Sequence, residues 1–268
     1  MAYDLTDITV GFIGFGNMAQ AMAKGLVNAG VVRGSQIIAN AVHFDKLEQS
    51  VQALGARASH SAAETVDAAD VVIVAVKPYQ VEKALAGAED LLRANGRFLL
   101  SVAAGLDLRY YQDLLGKDVH VQCVIPNTPI EVGQGVLVTE SADSLTDSQR
   151  EAFEALFSPV ALIERVDTAL MGIGSSVAGC APAFTAMYIE ALGDAGVKYG
   201  LQRNVAYRLA AKMTEGVGAL YMDTGVNPGA LKDAVCSPGG TTIKGVTELE
   251  KAGFRGAVVR AVDAIEMG

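Results

Sequence analysis

Short β-branched runs alternate with helical patterns through the first part of the chain. Apolar runs occupy residues 8–13, 36–39, 71–76, 97–102 and 119–125, with helical stretches such as 18–28 and 45–54 between them. A strand covered by helices on both faces reads as a near-continuous apolar run, because neither face meets water. The βαβαβ order predicts a right-handed, doubly wound parallel sheet. Runs at 135–139 and 161–164 predict two further edge strands.

After about residue 165 the strands stop. Helices are expected over about 182–199, 204–223, 227–235, 242–252 and 256–266. Alanine, glycine and leucine outnumber large aliphatic residues there, which permits close helix approach. A helical layer this small seldom buries its own apolar stripe, so a second subunit is expected against it. The expected division is an α/β domain over 1–165 and an all-helical domain over 166–268. One stretch, 168–189, runs 22 residues without a charge, long enough to span a bilayer. It contains Gly172, Gly174, Ser175, Ser176, Gly179 and Pro182, so a buried helix preceded by a loop is expected instead.

Composition narrows the function. The 268 residues are 51% apolar and 19% charged, a globular balance. Net charge is −9 without a basic cluster, which argues against nucleic acid or a membrane surface as the partner. An anionic ligand must therefore be held by local donors. Cys123, Cys180 and Cys236 stand far apart with no CxxC, as suits a reducing, cytoplasmic compartment. His43, His60 and His120 form no paired spacing with them or with each other, so no metal is expected. The segment Met1-Ala2-Tyr3-Asp4-Leu5-Thr6-Asp7 lacks the basic-then-apolar pattern of a secretion signal.

Two turns carry the chemistry. Gly14-x-Gly16-x-x-Ala19 follows a strand, opens a helix and heads a βαβ pattern, which makes it a dinucleotide fingerprint. Gly14 allows the tight turn, Gly16 lets a pyrophosphate approach, and Ala19 keeps helix and strand close. Phosphate would sit on the N–H groups around Asn17 and Met18. The next strand ends in Ala39-Asn40-Ala41-Val42-His43, without the carboxylate that binds a ribose 2′-hydroxyl and repels a 2′-phosphate. That favours NADP over NAD, with Asn40 as a polar contact and His43 and Lys46 as helpers. Lys77 and Pro78 end the 71–76 run at the crevice where such sheets bind ligands. The second turn, Ser237-Pro238-Gly239-Gly240-Thr241-Thr242, joins a Pro-Gly turn to a helix start, where unpaired N–H groups suit a carboxylate.

Together the segments Gly11 to Met18, Ala75-Val76-Lys77-Pro78, Ser101 to Gly105, Pro126-Asn127-Thr128-Pro129 and the Ser237–Thr242 turn resemble pyrroline-5-carboxylate reductase in order and spacing. The resemblance implies a Rossmann domain followed by an all-helical domain that dimerises, often within rings of dimers. It implies hydride transfer from the reduced nicotinamide to the C=N carbon of 1-pyrroline-5-carboxylate, giving L-proline; on the strand-end reading above NADPH is the preferred donor, with NADH possible. On that resemblance Phe15, Ala75, Val76, Ala103 and Asn127 join the cofactor contacts. By the same resemblance Ser237, Gly240 and Thr241 would bind the substrate carboxylate, Gly239 would belong to the same substrate-binding loop, and Thr242 would be the catalytic position, hydrogen-bonding the ring nitrogen. Two segments depart from the family pattern. Gly179-Cys180-Ala181-Pro182-Ala183-Phe184 stands where Gly-Ser-Gly-Pro-Ala-Tyr is usual, and Ser59-His60-Ser61-Ala62 lacks an asparagine often found beside the adenosine ribose. The alternatives are another two-domain reductase of a cyclic imine or a β-hydroxyacid, for which Lys198 or Lys212 would serve, and a non-catalytic NADP sensor.

Overall fold

The computed structural model describes residues 4–93 and 96–267, so Met1, Ala2 and Tyr3 of the acidic N-terminal segment lie outside them. Eight strands make one sheet: β1 Val10–Ile13, β2 Ile37–Asn40, β3 Arg57–Ser59, β4 Val71–Val74, β5 Phe98–Ser101, β6 Val121–Pro126, β7 Gly135–Glu140 and β8 Ala161–Val166. Their order is β3-β2-β1-β4-β5-β6-β7-β8, parallel throughout except for the β6–β7 pair. Period-two alternation divides the core. Val71, Ile73, Phe98 and Leu100 face one helical layer, while Val72, Val74 and Leu99 face the other.

The first layer contains α1 Asn17–Asn28, α2 Phe44–Gln52 and, after β7, α7 Asp147–Phe157; the second contains α3 Ala62–Ala68, α4 Val81–Leu85, α5 Glu89–Arg93 and α6 Leu108–Leu115. Gly11, expected only as a strand residue, also sets a helix distance. A Cβ there would stand 2.7 Å from Ala69 Cβ and 2.9 Å from Thr65 Cγ2, so α3 sits directly on β1 because position 11 has no side chain.

Two strand expectations need correction. The run at 135–139 is not an edge: β7 pairs with β6 on one side and β8 on the other, leaving β8 and β3 at the edges. The strand β3 has no apolar run to announce it, since only Ser59 of its three residues is buried.

By packing, the chain divides into two compact units, Met1–Cys180 and Ala181–Gly268. The first extends past β8 because α8 Met171–Ser175 packs on β7, and Gly174 makes room for Val138. The expected loop before the uncharged helix is absent. A single-turn helix at Thr168–Leu170, α8, a π-helical turn Ser176–Cys180 and α9 Ala181–Lys198 follow without a break. Nor is that helix buried. The stretch Thr168–Lys198 has mean hydropathy 1.3, yet only 6% of its apolar window is covered within one chain.

The second unit holds α9, α10 Arg203–Thr224, α11 Pro228–Ala234, α12 Thr241–Lys251 and α13 Phe254–Glu266. Within it α9 packs along α10, and Gly193 lies against the Tyr207 ring. Most of its large apolar side chains remain exposed, among them Met187, Leu209, Val217, Leu220 and Met222. A patch of this extent marks an interaction surface.

Candidate active site

Between β1 and β4 the winding of the sheet reverses, since β2 and β3 lie on one side of β1 and the later strands on the other. The carboxyl ends of the two strands flank a crevice of the kind that binds ligands in such sheets. A cavity of about 960 Å³ opens there. Its floor is fixed by main-chain bonds: Gly14 N–H donates to Asn40 O at 2.9 Å and Ala75 N–H to Ile13 O at 2.8 Å.

Gly14, Gly16, Asn17 and Met18 line this cavity after β1. Gly14 has φ +86°, and a Cβ there would stand 2.7 Å from Val76 Cγ1 and 2.8 Å from the Ala75 carbonyl oxygen. Gly16 precedes α1 and has nothing within 4 Å of its Cβ position. The first turn of α1 carries no side-chain cap and no acidic residue, so its N–H donors face the cavity unopposed. A dinucleotide pyrophosphate fits such a cradle. Ala19, 1% exposed, seats the helix on the sheet.

Ala75, Val76, Lys77 and Pro78 line the cavity after β4. Lys77 N–H donates to Gln80 Oε1 at 3.3 Å, which closes the short turn that Pro78 opens. Ala103 lines it after β5, and a relay of hydroxyls fixes that segment. Ser101 Oγ lies 2.6 Å from Tyr111 Oη and accepts the Ala103 N–H at 3.2 Å. Burial pushes the Tyr111 hydroxyl far above its ordinary pKa, so it stays protonated and bonded.

Three sequence expectations land elsewhere. Phe15 lines no part of the cavity: its ring is buried and meets Phe12 edge-on at 5.5 Å. The aromatic side chain follows the apolar layer beneath the turn, leaving only its backbone in the glycine loop. Asn127 is also buried. Its Nδ2 donates to Ala178 O at 3.0 Å and its Oδ1 accepts Val136 N–H at 2.8 Å, so its amide is spent on the fold. His43 and Lys46 are exposed and outside the cavity lining, because α2 carries them away from the end of β2.

Asn40 does line the cavity and reaches Ser59 O at 3.5 Å. Beside it, beyond the end of β3, stand His60 and Ser61. Both belong to the segment that lacks the family's asparagine beside the adenosine ribose, and the sequence alone assigns neither a contact of its own. Only the pairing of Asn40 with Ser59 brings them to the cavity, and no linear spacing encodes it.

In the helical unit, Gly240 N–H donates to Ser237 O at 3.0 Å, closing a four-residue turn with Gly239 at φ +71°. That angle requires glycine. A Cβ on Gly240 would collide with Ser237 Oγ. Helix α12 then starts at Thr241 with no side-chain cap. Both threonines are exposed, and among the described residues neither hydroxyl has a partner. Lys198 lies over the Tyr199 ring and Lys212 pairs with Glu215 at 2.8 Å, so neither stands free as an acid.

Comparison with known proteins agrees with this arrangement. A family model described as pyrroline-5-carboxylate reductase dimerisation matches residues 168–267, and one described as NADP oxidoreductase coenzyme F420-dependent matches 9–105. A pyrroline-5-carboxylate reductase of Treponema pallidum (strain Nichols) is 44% identical over 96% of this chain and 98% of its own. One from Escherichia coli K12 is 36% identical over 94% of each. Among solved structures, a Plasmodium falciparum pyrroline carboxylate reductase with NADP bound superposes with TM-score 0.85 at 28% identity, covering 97% of this chain and 96% of its own.

Proposed function

The chain belongs to the pyrroline-5-carboxylate reductase family, and on that premise we propose that it reduces 1-pyrroline-5-carboxylate to L-proline, the last step of proline biosynthesis. NADPH, which supplies the hydride, is the preferred donor over NADH, consistent with a β2 end that lacks a carboxylate. Gly14, Gly16, Asn17 and Met18 hold the pyrophosphate against α1. Asn40 contacts the ribose, while Ala75, Val76, Lys77, Pro78 and Ala103 shape the rest of the cavity.

Ser237, Gly239, Gly240 and Thr241 bind the substrate carboxylate through the turn and the free N–H groups at the start of α12. Thr242 hydrogen-bonds the ring nitrogen. A cyclic imine protonates readily and its cation accepts hydride, so no strong protein acid is required. Positioning then supplies much of the acceleration, on the order of 7–11 kcal/mol for well-oriented pairs. The observation that carries this reading is the Ser237–Thr242 turn, whose two unpartnered hydroxyls a mere nucleotide sensor would not need.

The helical unit, residues 166–268 in function, associates with another copy of the chain to give homodimers, and these assemble into rings. The enzyme works in the cytoplasm on a small molecule, with neither nucleic acid nor membrane as partner. Loss of reduced nicotinamide, followed at neutral pH with purified protein and 1-pyrroline-5-carboxylate, tests the reading. Absence of turnover with both NADPH and NADH overturns it.

A further inference from the structure

The end of β2 offers neither a carboxylate to exclude a 2′-phosphate nor an arginine to bind one. The ribose 2′ position of a dinucleotide lies at that strand end in a doubly wound sheet. Asn40, the last residue of β2, pairs in register with Ser59, and His60 follows directly. His60 also lines the cavity. Of the lysines that line the same cavity, Lys77 follows β4 and Lys83 lies in α4, both tied to other elements.

Unlike most exposed histidines, His60 is held in place. Its ring stacks on Phe44 with centroids 4.1 Å apart and planes 14° from parallel. Phe44 is anchored in turn against the apolar layer under α2. The His60 amide donates to Glu64 Oε2 at 2.8 Å, which fixes the backbone and occupies the one carboxylate bonded to this segment. Stacking covers one face of the imidazole and leaves the ring nitrogens on its edge. A neutral imidazole still donates from one nitrogen. A side chain already held this way loses little freedom on binding, so its hydrogen bond is realised more fully.

We infer that His60, clamped by Phe44, is the residue by which this chain recognises the 2′-phosphate of NADP. It fills this role only if the cavity takes NADP as proposed above. Ser61 stands beside it: its Oγ accepts the Glu64 N–H at 3.1 Å, leaving its O–H to donate to the same phosphate.

Calorimetric titration of the full-length protein with adenosine 2′,5′-bisphosphate and with adenosine 5′-monophosphate isolates this one group. The wild-type chain is expected to bind the bisphosphate more tightly. His60→Ala should lose about tenfold of that affinity, the size of one hydrogen bond to a charged group, with monophosphate binding unchanged. Unchanged monophosphate binding also reports that the variant is folded. Phe44→Leu should lose part of the same preference because the ring is no longer held, and His60→Gln should restore part of it through its amide donor. An equal loss for both nucleotides makes the ring an adenine platform and overturns the inference. A preference that survives His60→Ala overturns it while leaving the cofactor site intact. If the wild-type chain binds neither nucleotide, the cofactor reading fails and the inference with it.

Discussion

Asn127 donates its side-chain amide to the carbonyl oxygen of Ala178 at 3.0 Å, joining the end of β6 to the π-helical turn fifty-one residues later. A π turn leaves a carbonyl without its usual helical partner, and such turns often occur at functional sites. With its other side-chain atom bonded to Val136 N–H, Asn127 links the turn to β7 as well. Asn127→Ala removes both bonds and leaves two half-buried main-chain groups without this partner. The expected loss of stability is roughly 2–4 kcal/mol by chemical denaturation, at one to a few kcal/mol for each orphaned group. A midpoint equal to wild type would show that water replaces the amide fully.

Gly14 and Gly16 should respond differently to the same substitution. Gly14→Ala forces a side chain into Val76 and a positive φ, so it should lower the melting temperature as well as cofactor affinity. Gly16→Ala meets nothing in the free protein and should leave melting unchanged, yet weaken NADPH binding by about tenfold or more where the pyrophosphate would touch the new methyl. If Gly16→Ala binds NADPH normally, the cradle does not hold the pyrophosphate.

Thr242→Ala should lower kcat/KM by roughly one to two powers of ten and leave NADPH affinity nearly unchanged, because the role proposed for the hydroxyl is on the substrate alone. Steady-state kinetics against both substrates measures this. Activity equal to wild type removes Thr242 from the site.

Alkaline pH should weaken the fold. Burial, and then the Glu140 carboxylate, hold the Cys123 thiol well above its ordinary pKa of 9.0. The folded state therefore keeps this proton while the unfolded chain releases it. Its stabilising effect is complete below the unfolded pKa and is lost as pH rises beyond it. Stability measured by urea titration should fall above about pH 9, and less steeply in Cys123→Ala. Parallel slopes for the two proteins would assign the loss to other groups.

Much of this molecule was legible in its sequence, but only where physics is local. The strands β4 and β5 announce themselves because all four residues of each are buried. The Gly14 and Gly239 turns are legible because a positive φ selects glycine whatever surrounds it. By contrast β3 is short and half polar, held by its pairing with β2 rather than by its own pattern. The π turn owes its carbonyl partner to an asparagine just past the end of a distant strand. Phe15 sits inside a ligand motif yet turns to the core, since a fingerprint constrains backbone and leaves side-chain direction to packing. His60 reaches the cavity through strand register alone, which no spacing of histidines displays.

The helical unit buries few of its own large side chains: α10 leaves Val217, Leu220 and Tyr221 open along one stretch. Static light scattering at micromolar concentration should find an assembly, and Leu220→Asp should shift it toward monomer. A wild-type monomer would overturn the assignment of this surface to self-association.

That same bareness makes the stability of each copy depend on how many copies are present, since folding and association draw on one free energy. Dilution alone should then inactivate the enzyme, and added subunits should restore it.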